Sequence, residues 1–162
     1  MRVKDVMVGT PASCRWDANA AIAVEILWNR NCGILPVVNS SDRVIGVVTD
    51  RDLCIAMGTR NQLPGEIMLS EIASEQVFSC QPDDDIHTAL ATMAQQKVRR
   101  LPVINVAGEL QGILSMDDVV YHADAGNSRQ RPELSYDDVV KTLKRLYGPQ
   151  LLAVTDTKFK AA

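Results

Sequence analysis

No block of lysine or arginine interrupts the 162-residue sequence, and acidic groups outnumber basic ones by 20 to 17, for a formal charge of −3. That balance argues against the broad phosphate-gripping surface that dominates nucleic-acid affinity. Long apolar runs are missing as well: the longest nearly apolar stretch, Ala18 to Trp28, is broken by Asn19 and Glu25 and is too short to cross a bilayer. The opening Met1-Arg2-Val3-Lys4-Asp5 leads into mixed polar sequence without the apolar core of a secretory signal. A cytoplasmic protein with no membrane contact is expected. Cysteine is not clustered either, since Cys14, Cys32, Cys54 and Cys80 lie 18, 22 and 26 residues apart. This spacing matches neither a compact zinc motif nor a dense secreted framework, so reduced thiols are expected. Phosphate-cradling patterns of the Gly-x-x-x-x-Gly-Lys or Gly-x-Gly-x-x-Gly type are absent. The two histidines, His87 and His122, have no serine or cysteine partner at a recognised catalytic spacing and read as solvated helix positions. Together these absences point away from an enzyme.

What the chain has is an internal repeat. Displaced by 66 residues, Val3 to Leu53 aligns with Leu69 to Val119 without a gap, and ten of the 51 pairs are identical. They include Ser13/Ser79, Cys14/Cys80, Asp17/Asp83, Pro36/Pro102, Gly46/Gly112 and Asp52/Asp118. In each copy an aspartate, Asp17 or Asp83, is placed to cap a helix whose apolar residues follow helical spacing: Ala20, Ala23, Val24, Leu27 and Trp28, then Ile86, Ala89, Leu90, Met93 and Ala94. Two β-branched runs follow as a hairpin, Ile34 to Val38 with Arg43 to Thr49, and Arg100 to Asn105 with Leu110 to Ser115. A second helix is expected over Asp50 to Met57, ended by Gly58, and over Met116 to about Ala123. With a short strand near Ser13 or Ser79, each copy reads β-α-β-β-α. A unit of about 50 residues leaves too much surface exposed to be stable alone, so the two should pack together.

The chemistry sits where the last strand of each copy meets its second helix. The sequences there are Gly46-Val47-Val48-Thr49-Asp50-Arg51-Asp52 and Gly112-Ile113-Leu114-Ser115-Met116-Asp117-Asp118. A hydroxyl followed three residues later by a carboxylate is the pattern of a capping box. The same helix start offers free N–H groups to an anion, and the aspartate suits ribose hydroxyls. Both uses are compatible. Gly46 and Gly112 suit the close approach of a ligand or of another backbone, or a strand bulge. Cys14 and Cys80 read as small core side chains, with a thiol sensor as the other reading. The run Asp83-Asp84-Asp85 suits the start of a helix better than a metal.

The repeated Leu-Pro-Val strand (Leu35-Pro36-Val37-Val38 and Leu101-Pro102-Val103-Ile104) and the repeated Gly-x-x-(Thr/Ser)-x-x-Asp pattern resemble a tandem pair of cystathionine-β-synthase (CBS) domains, over residues 3 to about 122. The resemblance implies an α/β fold of two pseudo-symmetric units, residues 1–60 and 61–123, with clefts between them that bind adenosyl compounds: AMP, ADP, ATP, NAD or S-adenosylmethionine. It places Asp52 and Asp118 at ribose, and Thr49 and Ser115 at ribose or phosphate. Backbone beside Pro36 and Pro102, at Ile34 and Arg100, would meet adenine, and residues near Ser13 and Ser79 would close the pocket. It also implies a homodimer through the domain helices and regulation of a protein target in trans. The remaining readings are a ligand-free interaction scaffold and a redox or metal sensor using the cysteines. For the phosphates, Arg51, Lys97, Arg99 and Arg100 are candidate partners, or simply solvated charge. Copy two has Asp117 where copy one has Arg51, and Arg99-Arg100 where copy one has Gly33-Ile34. The clefts are therefore expected to differ in charge.

A polar linker at 124–134 precedes a third kind of element. Ser135 is set to cap an amphipathic helix over 135–148 with an apolar stripe of Tyr136, Val139, Val140, Leu143, Leu146 and Tyr147, closed by Gly148-Pro149. Val139, Val140, Leu143 and Leu146 are expected to bury on the domain pair or a sister subunit, away from the nucleotide clefts. Residues 149–162 are expected to form a flexible tail.

Overall fold

Alternating β-branched residues in each copy form an antiparallel hairpin. In chain order the elements of the computed structural model, which describes residues 1–126 and 132–153, are β1 (Val8–Gly9), β2 (Cys14–Arg15), α1 (Ala20–Asn29), β3 (Ile34–Val38), β4 (Val44–Thr49), α2 (Asp50–Thr59), α3 (Ile86–Gln96), β5 (Arg100–Ile104), β6 (Leu110–Ser115), α4 (Met116–His122) and α5 (Tyr136–Ala153). One sheet runs β2-β3-β4 and the other β1-β6-β5. The two hairpins share one register: Pro36 faces Val47 as Pro102 faces Ile113, and each shifts by a residue after Val37 or Val103. In the second copy a single parallel bridge, Cys80 to Val103, stands where β2 pairs with β3 in the first. Leu35, Val37 and Val48 meet Ala23, Leu27 and Leu53 in one core. Leu101, Val103 and Leu114 meet Leu90, Met93 and Val119 in the other.

The cores exchange their opening segments. Val3 and Val6, at the start of the first copy, are buried in the second core, and β1 adds to the edge of β6 with Gly9 opposite Gly112. Ile67 and Leu69, at the start of the second copy, are buried in the first core, and Ser74 bridges to Val47 on β4. This exchange accounts for the two repeated glycines. A Cβ on Gly112 would stand 2.6 Å from Met7 Sδ and 2.8 Å from the Val8 carbonyl, and one on Gly46 would stand 3.1 Å from the Ser74 carbonyl. Of the open readings for these glycines, the structure shows the approach of another backbone, together with a shift of strand register beside each glycine.

Several helix ends differ from the expected ones. The cap of α1 is Asn19, which accepts from the Ile22 amide at 3.1 Å, and not Asp17, which is held by Arg15. The cap of α3 is Asp85, which accepts from the His87 amide at 2.9 Å, while Asp83 pairs with Lys4 and Arg2. These ion pairs hold the Asp83 carboxyl below its ordinary range, Lys4 contributing most. Gly58 does not end α2; it stays right-handed inside the helix, and the left-handed residue that turns the chain is Asn61, at φ 50°.

The C-terminal helix is longer than expected, and α5 runs through Gly148 and Pro149 to Ala153. A proline inside a helix has no N–H for the carbonyl four residues back, here that of Arg145, and the Lys97 ammonium donates to that carbonyl instead. Ser135 caps α5 as expected. Its hydroxyl and amide both donate to Asp138 Oδ2, at 2.5 and 3.0 Å, and these bonds hold the Asp138 carboxyl below its ordinary range. The stripe docks on α3 and α4 with Val139 and Leu146 buried, whereas Val140, expected inside, is 47% exposed. Part of the linker expected at 124–134, residues 127–131, and the tail from 154 on lie outside the described residues.

Because the Gly112 contact is with backbone, Gly112→Ala should overpack the β1–β6 edge and cost about 1–3 kcal/mol in urea unfolding. Gly46→Ala, with its longer contact, should cost less. A Gly112→Ala protein as stable as the parent would show that β1 does not hold this edge.

Candidate functional site

The helix starts at Thr49 and Ser115 are complete capping boxes. The Thr49 amide and hydroxyl donate to Asp52 Oδ2 at 2.9 and 2.7 Å, and the Asp52 amide donates back to Thr49 Oγ1 at 3.3 Å. The Ser115 and Asp118 bonds are 2.8, 2.6 and 3.2 Å. In both boxes one carboxylate oxygen takes both bonds, and among the described residues Oδ1 of Asp52 and Asp118 accepts none. Capping therefore leaves each half-buried aspartate an acceptor for a ligand hydroxyl.

A cleft of about 520 Å³ opens in front of Thr49 and Asp52. Of the residues singled out in sequence, it brings together Ile34, Thr49, Arg51 and Asp52 of the first copy with Lys97, Arg99, Arg100 and Pro102 of the second. All four candidate phosphate partners line this one cleft, against the carboxylates of Asp50 and Asp52. Gly33 leaves room here: a Cβ would lie 3.4 Å from both terminal nitrogens of Arg100 and from Asp50 Oδ2, so cation and carboxylate converge above it.

Five candidates lie outside this cleft. Pro36 is buried in β3 opposite Val47, and Ser115 pairs in register with Arg100 and is boxed with Asp118 on the other motif. Ser13 and Ser79 are half-buried beside the core cysteines. Conversely, the cleft has walls that sequence reasoning did not assign. Ser74, Gln76 and Phe78 come from the opening segment of the second copy, and Leu146 and Tyr147 come from α5. The helical period of α5 requires burial of its stripe without saying where, and the expectation that this helix stands clear of the clefts is corrected here.

The other titratable groups have structural partners. His87 lies 3.0 Å from Asp85 and 3.5 Å from Asp138, and His122 contacts the Asp118 carbonyl at 2.8 Å. Burial pushes the Cys80 thiol up to about 12, with Asp84 adding to the effect. It raises Cys14 too, against the pull of a hydrogen bond to the Arg15 backbone. A thiolate is the reactive form, so these strand cysteines act as packing groups. Among the described residues no three His, Cys, Asp or Glu side chains converge to hold a metal, and no helix is long and apolar enough to cross a membrane.

Comparison with known proteins agrees with this architecture. The family model of the CBS domain matches twice, over residues 3–58 and 69–124. An uncharacterised protein of Methanopyrus kandleri, MK0525, is 31% identical over 120 residues, which are 72% of this chain and 57% of that protein. Among solved structures, the CBS domain pair of protein MJ0100, in complex with 5′-methylthioadenosine and S-adenosyl-L-methionine, superposes with a TM-score of 0.68 at 21% identity. That match covers 75% of this chain and 94% of the other. The protein PAE2072 of Pyrobaculum aerophilum, complexed with AMP, gives a TM-score of 0.68 at 24% identity, over 75% of this chain and 92% of the other. At these identities the structures establish the fold.

The thiol assignments are checked by timed alkylation and mass mapping of the native protein. Exposed Cys54 should be modified first and half-buried Cys32 more slowly, with Cys14 and Cys80 protected until unfolding. Native labelling of Cys80 at the rate of Cys54 would restore the sensor reading.

Proposed function

This chain belongs to the CBS domain family, and on that premise we propose that it is a regulatory module that reversibly binds an adenosyl nucleotide in the cleft at Thr49 and Asp52. The observation that carries the reading is the composition of that cleft. It sets the free Asp52 oxygen, suited to ribose, among four basic side chains, within a volume typical of small-molecule sites. Four cations facing two carboxylates favour ligands with a phosphate, such as AMP, ATP or NAD, over the positively charged S-adenosylmethionine. The ligands held by the two structural relatives belong to the same adenosyl class. By the repeat, Ser115 and Asp118 with Pro36 serve a second, less basic cleft, and Ser13 and Ser79 support the strands behind the two sites. The chain works as a cytoplasmic sensor for a protein target in trans.

A ligand at 100 times its dissociation constant adds about 2.7 kcal/mol to stability, so AMP, ATP or NAD at millimolar concentration should raise the melting temperature. Asp52→Asn retains an acceptor for the cap and removes the charge that strengthens the ribose bond. It should leave the ligand-free melting temperature nearly unchanged and weaken binding roughly ten- to hundredfold by calorimetry. Were no member of the panel to shift melting or give heat, the nucleotide reading would fail.

The same module associates as a homodimer through its first copy. Trp28 is 84% exposed and Val24 38%, and with Leu27, Leu53 and Met57 they border an apolar groove of about 360 Å³ between α1 and α2. Their repeat counterparts Ala94 and Leu90 are 6% and 3% exposed, because α5 covers that face. An uncovered apolar face of this kind marks a contact surface, and a two-fold dimer uses the same patch on both copies. Light scattering should report a dimer for the parent chain and a monomer for Trp28→Glu. A monomeric parent would remove the homodimer from this reading.

A further inference from the structure

The helix α5 does more than cover the second core. Leu146 is buried against that core, yet with Tyr147 it also forms the one wall of the basic cleft that neither repeat supplies. Lys97 lines the same cleft, holds the left-handed position at the end of α3 (φ 58°), and donates to the Arg145 carbonyl, the residue next to Leu146. That carbonyl is available because residue 149 is a proline. A lysine ammonium has three donors, so Lys97 can keep α5 and still hold a phosphate. At the other end α5 is fixed by the Ser135–Asp138 cap and by His87. The feature has no counterpart in the first copy. Asn31 takes the place of Lys97, also left-handed at φ 47°, and among the described residues no counterpart of α5 packs on α1.

Resting on the adenosyl reading above, we propose that Leu146 and Tyr147 are part of the ligand site and that α5 is the element through which occupancy of this cleft is communicated. A ligand shifts a conformational equilibrium only through contacts that differ between the states. With α5 docked, an adenosyl ligand gains the Tyr147 ring, the Leu146 side chain and a Lys97 fixed in place, and it loses all three when the last turns of α5 lift. Coupling of this kind is reciprocal: ligand holds the helix down, and the docked helix tightens the ligand. A target that engages α5 would therefore sense the nucleotide, and only through the cleft of the first motif.

The test uses the full chain and whichever of AMP, ATP and NAD raises melting most. Hydrogen exchange over residues 136–148 should slow on adding it, with the greatest protection at the Lys97 end. By calorimetry, Tyr147→Ala should weaken binding roughly tenfold, the scale of losing one aromatic face against a base. Tyr136→Ala, at the far end of the same helix and outside the cleft, should leave binding unchanged. If the parent chain binds nucleotide while α5 exchange is unaffected and Tyr147→Ala binds as the parent does, α5 is only a structural cover and the proposal is wrong. If the parent binds none of the three, the adenosyl reading fails first and this proposal falls with it.

Discussion

The edge contact between each hairpin and the opening segment of the other repeat is the constraint on which the rest of the structure depends. It requires backbone to lie against backbone at β4 and β6, and a side chain at Gly46 or Gly112 would intrude on that contact. Because Val3 and Val6 complete the second core and Ile67 and Leu69 the first, neither half contains its own full complement of apolar residues. The two halves therefore depend on each other for stability, and the cleft between them inherits its geometry from that dependence. Arg99 and Arg100 reach the first motif because the exchange fixes how the second hairpin faces the first.

Within the cleft, local stability and binding share the same atoms. A helix start leaves backbone donors without intrahelical partners, and Thr49 and Asp52 satisfy two of the groups at this one. The box also immobilises the aspartate, since both of its bonds go to a single oxygen and the other is held outward. A group already fixed by its cap loses little further freedom when a ligand arrives, and that lowers the entropic cost of binding. On the proposed reading, the capping and ribose roles of the motif are one arrangement seen from the helix side and from the cleft side.

Much of this was legible in the residues because duplication supplies a second copy against which each element is checked. Pro36 with Pro102 and Asp52 with Asp118 set the hairpin register and the helix starts, and the four basic side chains singled out in the sequence line one cleft. The misreadings share a cause. Asp17 and Asp83 have the right chemistry for caps, but the caps formed two residues later, at Asn19 and Asp85, because Asp17 and Asp83 are engaged by Arg15 and by Lys4 with Arg2. Gly148-Pro149 has the composition of a helix stop, and the helix continues because Lys97, distant in sequence, satisfies the orphaned carbonyl. Each failure came from a side-chain partner, distant in sequence for Asp83 and for the Arg145 carbonyl, that the helix pattern alone does not reveal. For the same reason Phe78 and Tyr147 could not be assigned to the cleft.

The departures from symmetry carry the functional content. A strict duplication would give two equal clefts and two equal helix faces. Instead Arg51 corresponds to Asp117 in the repeat, Gly33-Ile34 to Arg99-Arg100, and Trp28 to Ala94. These differences fall into a consistent set. Basic residues from both copies gather in the cleft of the first motif, and the small Ala94, buried on the second copy's helix face, lies where α5 docks with Leu146 and Tyr147 at that cleft. A tryptophan at position 94 would obstruct the helix, whereas on the first copy the tryptophan stands free for another surface. The cationic cleft of the first motif, walled in part by α5, and the exposed apolar face around Trp28 both arise where the two copies differ, and on the proposed reading they serve ligand sensing and association.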